Sequence, residues 1–311
     1  MGSSMPTTAF LFPGQGSQQT GMGRDLYERS ETARAVFEKA DAALGFSIST
    51  LCFEGPDEAL RRTEHTQPAI LTCSIATFAA VIERGGAAHF VAGHSLGEYS
   101  ALVAAGALEL GDALRLVRKR GRYMQEAVPE GVGAMAALLG LDPEKLDPLL
   151  EQAAQGEVLS AANLNSPGQV VIAGHAGAVA RAVAAASEAG AKRAIPLAVS
   201  APFHCALMEP ARERLAPDLD AIAVSDPDPP LVNNVEARVV RSADEVRQGL
   251  KDQIPNPVLW EASIRTLVGE GVKRFIEIGP GRVLTGLLRN IDRSLEGRSV
   301  SDWESLEKLP L

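Results

Sequence analysis

The chain has 311 residues, of which 46% are hydrophobic and 22% charged, and its net charge is −9. This length suits one large domain with an inserted lobe, or two domains. Because there is no basic excess to neutralise phosphates, nucleic acid is not expected as a partner. No apolar run reaches about 18 residues without charges or turn signals, so no membrane partner is expected either.

The cysteines are Cys52, Cys73 and Cys205, which are far apart and lack metal-ligand spacing. We therefore expect neither a disulfide framework nor a metal site. The N-terminal residues show no basic region followed by an apolar core, the pattern of a signal peptide. These features predict a protein of the reducing cytoplasm. The lack of a coiled-coil repeat or an obvious exposed apolar stripe favours a monomer.

The first part of the chain alternates short apolar strands with longer helices. "TTAFLFPGQGSQ" (7–18) predicts a strand that ends in a glycine-rich loop, and "AHFVAG" (88–93) predicts a second strand that is apolar on both faces. The predicted helices cover 27–43, 69–84 (after "TQPA"), 96–107 and 110–127. This order predicts a parallel, doubly wound α/β core.

The middle of the chain has a different order of elements. Strands are predicted over 134–141, 158–165, 169–174 and 191–197, with helices over 142–155 and 175–190. The order β-α-β-β-α-β is typical of ferredoxin-like domains. We therefore predict a small ferredoxin-like subdomain at 131–198, inserted into an α/β core formed by 5–130 and 199–311.

The last part returns to core elements. "PPLVNNV" (229–235) and "RFIEIGPG" (274–281) predict strands that end in polar or glycine loops. Ligands of open α/β sheets bind at the carboxyl ends of the strands, where these loops should meet 14–18 and 93–97. The tail from about Asp292 is charged, with Trp303 as a candidate anchor.

A serine follows the second predicted strand, in the loop 93–97. Gly93-His94-Ser95-Leu96-Gly97 fits G-x-S-x-G between a predicted strand and a predicted helix, the setting of a nucleophile elbow. Such a turn exposes the Ser95 hydroxyl and lets the Leu96 N–H stabilise an oxyanion. A serine helix cap with incidental glycines is the alternative. The strand–turn–helix context favours the nucleophile.

A serine nucleophile needs a base, and five histidines are available. His204 is the candidate, because the chain re-enters the core at "VSAPFHCALMEP" and can reach the same face. His94 adjoins Ser95 and should point elsewhere. The other three histidines fit solvated or capping positions: His65, His89 and His175.

Arg120 lies on the apolar side of the predicted helix 112–125. A buried arginine is costly unless an anion pairs with it. One interpretation is an internal salt bridge with Asp or Glu, which the residues alone slightly favour. The other is a guanidinium that binds a substrate carboxylate through two hydrogen bonds.

Over about residues 7–290 the sequence resembles the malonyl-CoA:acyl carrier protein transacylases. The shared motifs, in the family's order, are "FPGQGSQ", "TQPA", "GHSLGEYSAL", "RGRYMQEAVP.G.GAM", "NLNSPGQVVIAG", "PFHCALM", "NNV" and "EIGPGRVLTGL". The resemblance implies an α/β-hydrolase-like parallel-sheet core with an inserted ferredoxin-like small subdomain.

The resemblance also implies catalytic roles. Ser95 would carry the acyl group, and His204 would act as base and then as acid for the leaving thiol. Gln253 would orient His204 through its main-chain carbonyl, so the site would be a dyad without an acidic third member. The amides of Gln15 and Leu96 would form the oxyanion hole.

The implied substrate-binding residues form a second group. Arg120 would bind the malonyl carboxylate, and His94 would line the acyl pocket. Asn163 and Asn165 match family positions near the site and would contact the thioester arm. Phe203 would narrow the pocket against an α-methyl group, a discrimination worth about 1–3 kcal/mol.

The implied reaction is a ping-pong transfer from malonyl-CoA to acyl carrier protein in fatty acid biosynthesis, without metal or cofactor. A free-standing polyketide synthase acyltransferase would share every residue named above. A serine thioesterase or esterase would have no use for the Arg120 anion site and would normally need an acidic triad residue. The intact set of Ser95, His204 and Arg120 argues against a catalytically silent docking protein.

Overall fold

The computed structural model describes residues 6–199 and 201–310, so the predicted limits at Met5 and Leu311 lie outside the described residues. The strands are β1 (Thr8–Phe12), β2 (Phe90–Gly93), β3 (Gly133–Leu139), β4 (Leu159–Ser166), β5 (Gln169–His175), β6 (Arg193–Pro196), β7 (Leu231–Val232), β8 (Val239–Val240), β9 (Arg274–Ile278) and β10 (Glu296–Val300).

The helices alternate with these strands along the chain. They are α1 (Arg24–Arg29), α2 (Glu31–Leu44), α3 (Ile48–Glu54), α4 (Asp57–Leu60), α5 (Thr63–Glu83), α6 (Leu96–Ala104), α7 (Leu110–Glu126), α8 (Pro143–Ala154), α9 (Ala176–Ala185), α10 (Glu209–Ala221), α11 (Ala243–Gln253), α12 (Trp260–Gly269), α13 (Val283–Ile291) and α14 (Trp303–Glu307).

The larger sheet has the strand order β10-β9-β1-β2-β7-β8. Its neighbours are parallel except β7 and β8, which pair antiparallel. Alternate β1 residues enter different apolar clusters, with Phe10 and Phe12 on one face and Ala9 and Leu11 on the other. Both faces of β1 are thus buried, as expected for a central parallel strand. The predicted α/β core is confirmed.

The smaller sheet is antiparallel, with the order β4-β5-β3-β6. Helices α8 and α9 pack together and bury a separate apolar cluster against it. Asp142 caps α8 through its carboxylate, and Pro143 opens the helix, where the missing N–H costs nothing. The predicted β-α-β-β-α-β order is confirmed, whereas the subdomain limits at 131 and 198 stay a prediction.

One short contact joins the smaller sheet to a core segment outside the larger sheet. Asn163 on β4 forms an isolated parallel bridge with Val258, which follows α11. The Val258 N–H donates to Ala162 O at 2.8 Å, and the Leu164 N–H donates to Val258 O at 2.9 Å. This bridge holds β4 against the segment that follows Gln253, the last residue of α11.

Two helix predictions need correction. The predicted helix 27–43 is interrupted at Ser30, whose side chain accepts a hydrogen bond from Ala33 N and begins α2. The helix predicted to start after Pro68 begins at Thr63 instead and runs through the proline. Proline in a helix interior is unfavourable, which misled the prediction. As a result Gln67 lies on a buried helix rather than in a loop.

Helix α5 is long and apolar enough to cross a membrane by length and composition, with 21 residues and a window of mean hydropathy 1.3. However, 78% of that window is buried inside the protein. The helix packs against α2, α6 and α7, so its apolar surface is covered by the core. We assign it as a core helix.

The carboxyl-terminal part also differs from the prediction. The strand expected over 229–235 is only Leu231–Val232, and the tail contributes β10, an edge strand parallel to β9. Trp303 opens α14, and its ring lies beneath the guanidinium groups of Arg29 and Arg84. The tail is therefore part of the folded core region.

Candidate active site

The turn between β2 and α6 places Ser95 in a strained conformation, with φ 52° and ψ −109°. A Cβ at Gly93 would overlap Gly97 O, and a Cβ at Gly97 would overlap Phe12 O. Both glycines are thus required by close backbone approach. The Ser95 side chain accepts no capping hydrogen bond from α6, all of which is described. The turn presents the hydroxyl rather than using it as a helix cap.

The structure brings Ser95 and His204 together across 109 residues of sequence. Ser95 O–H donates to His204 Nε2 at 2.7 Å, and His204 Nδ1–H donates to the Gln253 main-chain oxygen at 3.0 Å. The second bond sets the tautomer that leaves Nε2 free to accept a proton. Burial, then the Arg120 charge, lower the pKa of His204 to about 3. The imidazole is therefore neutral and able to accept the serine proton.

Arg120 is almost fully buried, with 1% of its surface exposed, and reaches the same point from α7. Its Nη1 donates to Gln67 Oε1 at 2.8 Å. Its Nη2 donates to Gln253 Oε1 at 2.8 Å and to Ser95 Oγ at 3.2 Å. Within the described residues Arg120 forms no ion pair within 4.0 Å, and its Nε has no hydrogen-bond partner.

The hydrogen-bond acceptors of Arg120 are therefore two neutral amide oxygens and the Ser95 hydroxyl, and the internal salt bridge is not what the structure contains. The Tyr99 ring lies 5.3 Å from the guanidinium carbon and adds a favourable cation–π contact. A buried cation whose direct partners are all neutral keeps much of its attraction for an external anion. This arrangement suits recognition of a carboxylate next to Ser95.

Sequence reasoning missed a buried carboxylate behind the serine. Glu98 Oε2 accepts hydrogen bonds from Asn234 N at 2.9 Å and from Gln253 Nε2 at 3.0 Å. Asn234 in turn accepts from Ser95 N at 2.7 Å and donates to Gly93 O at 2.7 Å. Burial raises the pKa of Glu98 to about 7, and the hydrogen bonds that Glu98 accepts from Gln253 and Asn234 oppose this rise.

Signals for the missed residues were present in the sequence. Glu98 follows Ser95 by three positions, the S-x-x-E spacing of a capping box, although its side chain here turns to Asn234 and Gln253. Gln67 belongs to the "TQPA" motif, and Asn234 to a loop that was expected at the strand ends.

A cavity of about 480 Å³ opens onto Ser95, His204 and Arg120. The other predicted site residues on its wall are Gln15, His94, Asn163 and Phe203. Met124, Met135 and Leu197 add apolar surface. The wall combines apolar side chains with several convergent polar groups, as expected for a small-molecule site.

The remaining predicted residues lie behind the cavity wall. Leu96 is fully buried, and its N–H lies at the start of α6, directly after Ser95. Among the described residues, neither Leu96 N–H nor Gln15 N–H donates to a protein acceptor. Gln253 is buried and supports His204 and Arg120 from behind.

The two asparagines have different positions. Asn163 lines the cavity, and its buried Oδ1 has no partner among the described residues. Asn165 does not line the cavity, because its Oδ1 pairs with His94 Nε2 at 2.8 Å. Asn165 therefore holds His94 in place, and the expectation that it contacts the thioester arm does not match its position.

The other histidines lie outside the cavity wall. His65 contacts Ala59 O, His89 accepts from Thr8 N, and His175 accepts from Val158 N. All three contacts are with main-chain atoms. His89 is solvent-exposed and His175 lies at the N-cap position of α9, as expected for solvated or capping residues.

Comparison with known proteins places this geometry in context. Residues 9–310 match the family described as "Acyl transferase domain". The chain is 51% identical over 304 residues to the malonyl CoA-acyl carrier protein transacylase of Bacillus subtilis, covering 97% of this chain and 96% of the relative. It is 49% identical over 299 residues to the protein of that name in Escherichia coli, with coverage of 96% and 97%.

Solved structures show the same fold at similar identity. An acyl carrier protein S-malonyltransferase from Vibrio cholerae superposes with a TM-score of 0.95 at 45% identity, covering 98% of this chain and all of the other. A malonyl-transacylase solved in complex with a type II PKS acyl-carrier protein has a TM-score of 0.95 at 48% identity, with coverage of 97% and 98%.

Proposed function

This chain belongs to the acyl transferase domain family, and from that premise we propose that it moves a malonyl group from malonyl-CoA to the phosphopantetheine thiol of acyl carrier protein. Relatives at about half identity carry the name of this activity. The observation that carries the proposal is the buried Arg120, held by neutral groups, 3.2 Å from the hydroxyl of an elbow serine.

The first half-reaction acylates Ser95. The Ser95 oxygen attacks the thioester carbonyl carbon while His204 Nε2 takes the hydroxyl proton across the existing 2.7 Å hydrogen bond. The amides of Gln15 and Leu96 stabilise the oxyanion. The carbon–sulfur bond then breaks, and His204 returns the proton to the leaving thiolate of coenzyme A.

The second half-reaction reverses these steps with another thiol. His204 Nε2 takes the proton of the phosphopantetheine thiol, and the sulfur attacks the malonyl ester on Ser95. The ester carbon–oxygen bond breaks, and His204 returns the proton to the Ser95 oxygen. Serine, histidine and backbone amides suffice for this chemistry, so we propose that it uses no metal and no redox cofactor.

Arg120 selects the acyl group in this scheme. The malonyl carboxylate replaces Ser95 Oγ as the partner of Arg120 Nη2, and Nε supplies a further donor. This exchange releases the serine oxygen from a cationic donor. A hydrolase would have no need for this anion site, and the His204 Nδ1 partner is a main-chain carbonyl instead of a triad carboxylate.

We also infer the setting of the reaction. The transfer would supply malonyl units to fatty acid biosynthesis, in the cytoplasm, where the three buried free thiols would persist. A relative bound to a type II PKS acyl-carrier protein favours polyketide synthesis as the second candidate setting. Comparing carrier proteins from the two kinds of pathway as acceptors distinguishes them.

Intact-protein mass spectrometry tests the proposal. After brief mixing with malonyl-CoA alone, we expect one malonyl adduct that maps to Ser95 and disappears when acyl carrier protein is added. Ser95→Ala should form no adduct, whereas Ser100→Ala, a buried serine on the same helix, should form it normally. Free malonate without a lasting adduct would support a hydrolase instead.

A further inference from the structure

Glu98 is a buried carboxylate that the proposed steps leave without a role. It lies on α6 behind Ser95 and is 1% exposed. Its Oε2 accepts hydrogen bonds from Gln253 Nε2 and Asn234 N, and both of these residues hold reacting groups. Gln253 carries the carbonyl that accepts from His204, and Asn234 accepts from the Ser95 N–H.

We propose that Glu98 is a positioning residue that supplies, through Gln253, the negative charge that the Ser95–His204 pair lacks at the histidine itself. The inference rests on the proposed function. The Gln253 side chain links the two opposite charges of the site. Its Oε1 accepts from Arg120, and its Nε2 donates to Glu98 and to the Ser95 main-chain oxygen, each at 3.0 Å, so the carboxylate helps to fix which way the amide faces.

The charge balance explains why the reaction needs this carboxylate. His204 becomes a cation when it takes the Ser95 proton, and the nearby Arg120 charge opposes that change. A charge of opposite sign in the same buried network offsets this repulsion. The charged or titratable groups that act on Glu98 are Arg120 on α7 and Tyr99 on its own helix, and Gln253 links it to His204.

Glu277 shows what a purely structural buried carboxylate looks like in this chain. It accepts hydrogen bonds from Leu284 N, from Thr285 N and from Thr285 Oγ1, all at the start of α13. The residues that donate hydrogen bonds to Glu277 anchor a helix and hold no reacting group. Glu98 differs because both of its donors hold parts of the reaction centre.

The ionisation of the two groups makes the inference measurable. Burial raises the pKa of Glu98 to about 7, whereas the pKa of His204 is about 3. A change in rate near neutral pH that is present in the wild type and lost in Glu98→Gln therefore reports Glu98. We expect the acylation rate to fall as the pH drops below about 7, because protonation removes the negative charge.

The experiment measures single-turnover acylation of Ser95 by malonyl-CoA from about pH 5.5 to pH 8 in the wild type, Glu98→Gln and the matched control Glu277→Gln. Glu98→Gln should lower the rate at pH 8 about tenfold, leave KM within about twofold, and lose the change in rate near pH 7. Glu277→Gln should keep the wild-type profile.

Three results would overturn the inference. The wild-type acylation rate could be independent of pH over this range, or Glu98→Gln could keep the same change in rate near pH 7. The third result would be equal effects of Glu98→Gln and Glu277→Gln on the rate. A flat wild-type profile would overturn the inference even if Glu98→Gln folds poorly. Failure of the proposed function would look different, because the wild type itself would then form no malonyl ester at Ser95.

Discussion

The Arg120 guanidinium donates a hydrogen bond to the Ser95 hydroxyl oxygen at 3.2 Å, although Arg120 lies on α7 and Ser95 in the turn before α6. A cationic donor on the serine oxygen withdraws the electron density that a nucleophile needs. A malonyl carboxylate would take that donor for itself. It would also neutralise the Arg120 charge, which after burial is the second cause of the lowered pKa of His204. Substrate recognition and activation of the serine would thereby be coupled.

Arg120→Ala should therefore reverse the preference among acyl groups. We expect malonyl transfer to fall by at least about 100-fold, since two charge-assisted hydrogen bonds are worth about 1.5–3 kcal/mol each. Acetyl transfer should change little or improve. The control is Arg118→Ala, which removes a part-exposed arginine of the same helix. Equal losses for both acyl groups in Arg120→Ala would reject the carboxylate site.

Gln67→Glu tests whether KM for malonyl-CoA depends on Arg120 having uncharged hydrogen-bond partners. The substitution would place a carboxylate 2.8 Å from Arg120 Nη1, at the position of the present amide oxygen. This internal anion would compete with malonate for the guanidinium, so KM for malonyl-CoA should rise by about tenfold or more.

Gln67→Met is the companion variant for that measurement. It preserves the side-chain length and removes the hydrogen bond without adding charge. We expect a smaller rise in KM than in Gln67→Glu. An identical rise in both variants would mean that lost packing or lost hydrogen bonding, and not the added charge, is the cause.

Phe203→Ala should broaden the substrate range. Phe203 lines the cavity directly before His204, and its removal makes room for an α-methyl group. The ratio of kcat/KM for methylmalonyl-CoA over malonyl-CoA should rise by about 10-fold to 200-fold, the range for one methylene in a pocket. Competition between the two thioesters measures this ratio directly, and an unchanged ratio would assign the discrimination to other residues.

Opposite pH dependences of stability are expected from His204 and Glu98. The pKa of His204 is lowered from 6.5 to about 3, so its contribution to stability is present above pH 6.5 and is lost as the pH falls. The pKa of Glu98 is raised from 4.5 to about 7, so its contribution is present below pH 4.5 and is lost as the pH rises. Between about pH 5 and 6.5 the two effects oppose each other.

Urea unfolding between about pH 5 and 6.5 tests this balance. Relative to the wild type, His204→Asn should gain stability as the pH falls, and Glu98→Gln should lose it, each by roughly 1 kcal/mol per pH unit. Parallel stability curves for all three proteins would show that neither group has the shifted pKa described above.

The sequence by itself determined the strand–turn–helix around Ser95, the order of the inserted subdomain and the buried position of Arg120. Each of these depends on local properties, namely glycine at a crowded turn and the spacing of apolar residues along one element. The return of the chain to the core indicated His204 as the base, and the family resemblance then implied the main-chain role of Gln253. The helix across Pro68 and the short β7 escaped prediction because tertiary packing overrode the local signals.

Only the tertiary structure decided which polar groups surround the reacting atoms. Gln67, Glu98 and Asn234 belong to three separate parts of the chain, and the hydrogen bonds that place them at the site span 53 to 155 residues of sequence. Whether Arg120 forms an internal salt bridge or stays available to an external anion also depended on such distant residues. The partners of a buried charge are set by how distant elements pack, and the energy of that charge depends on every group that the packing brings near it.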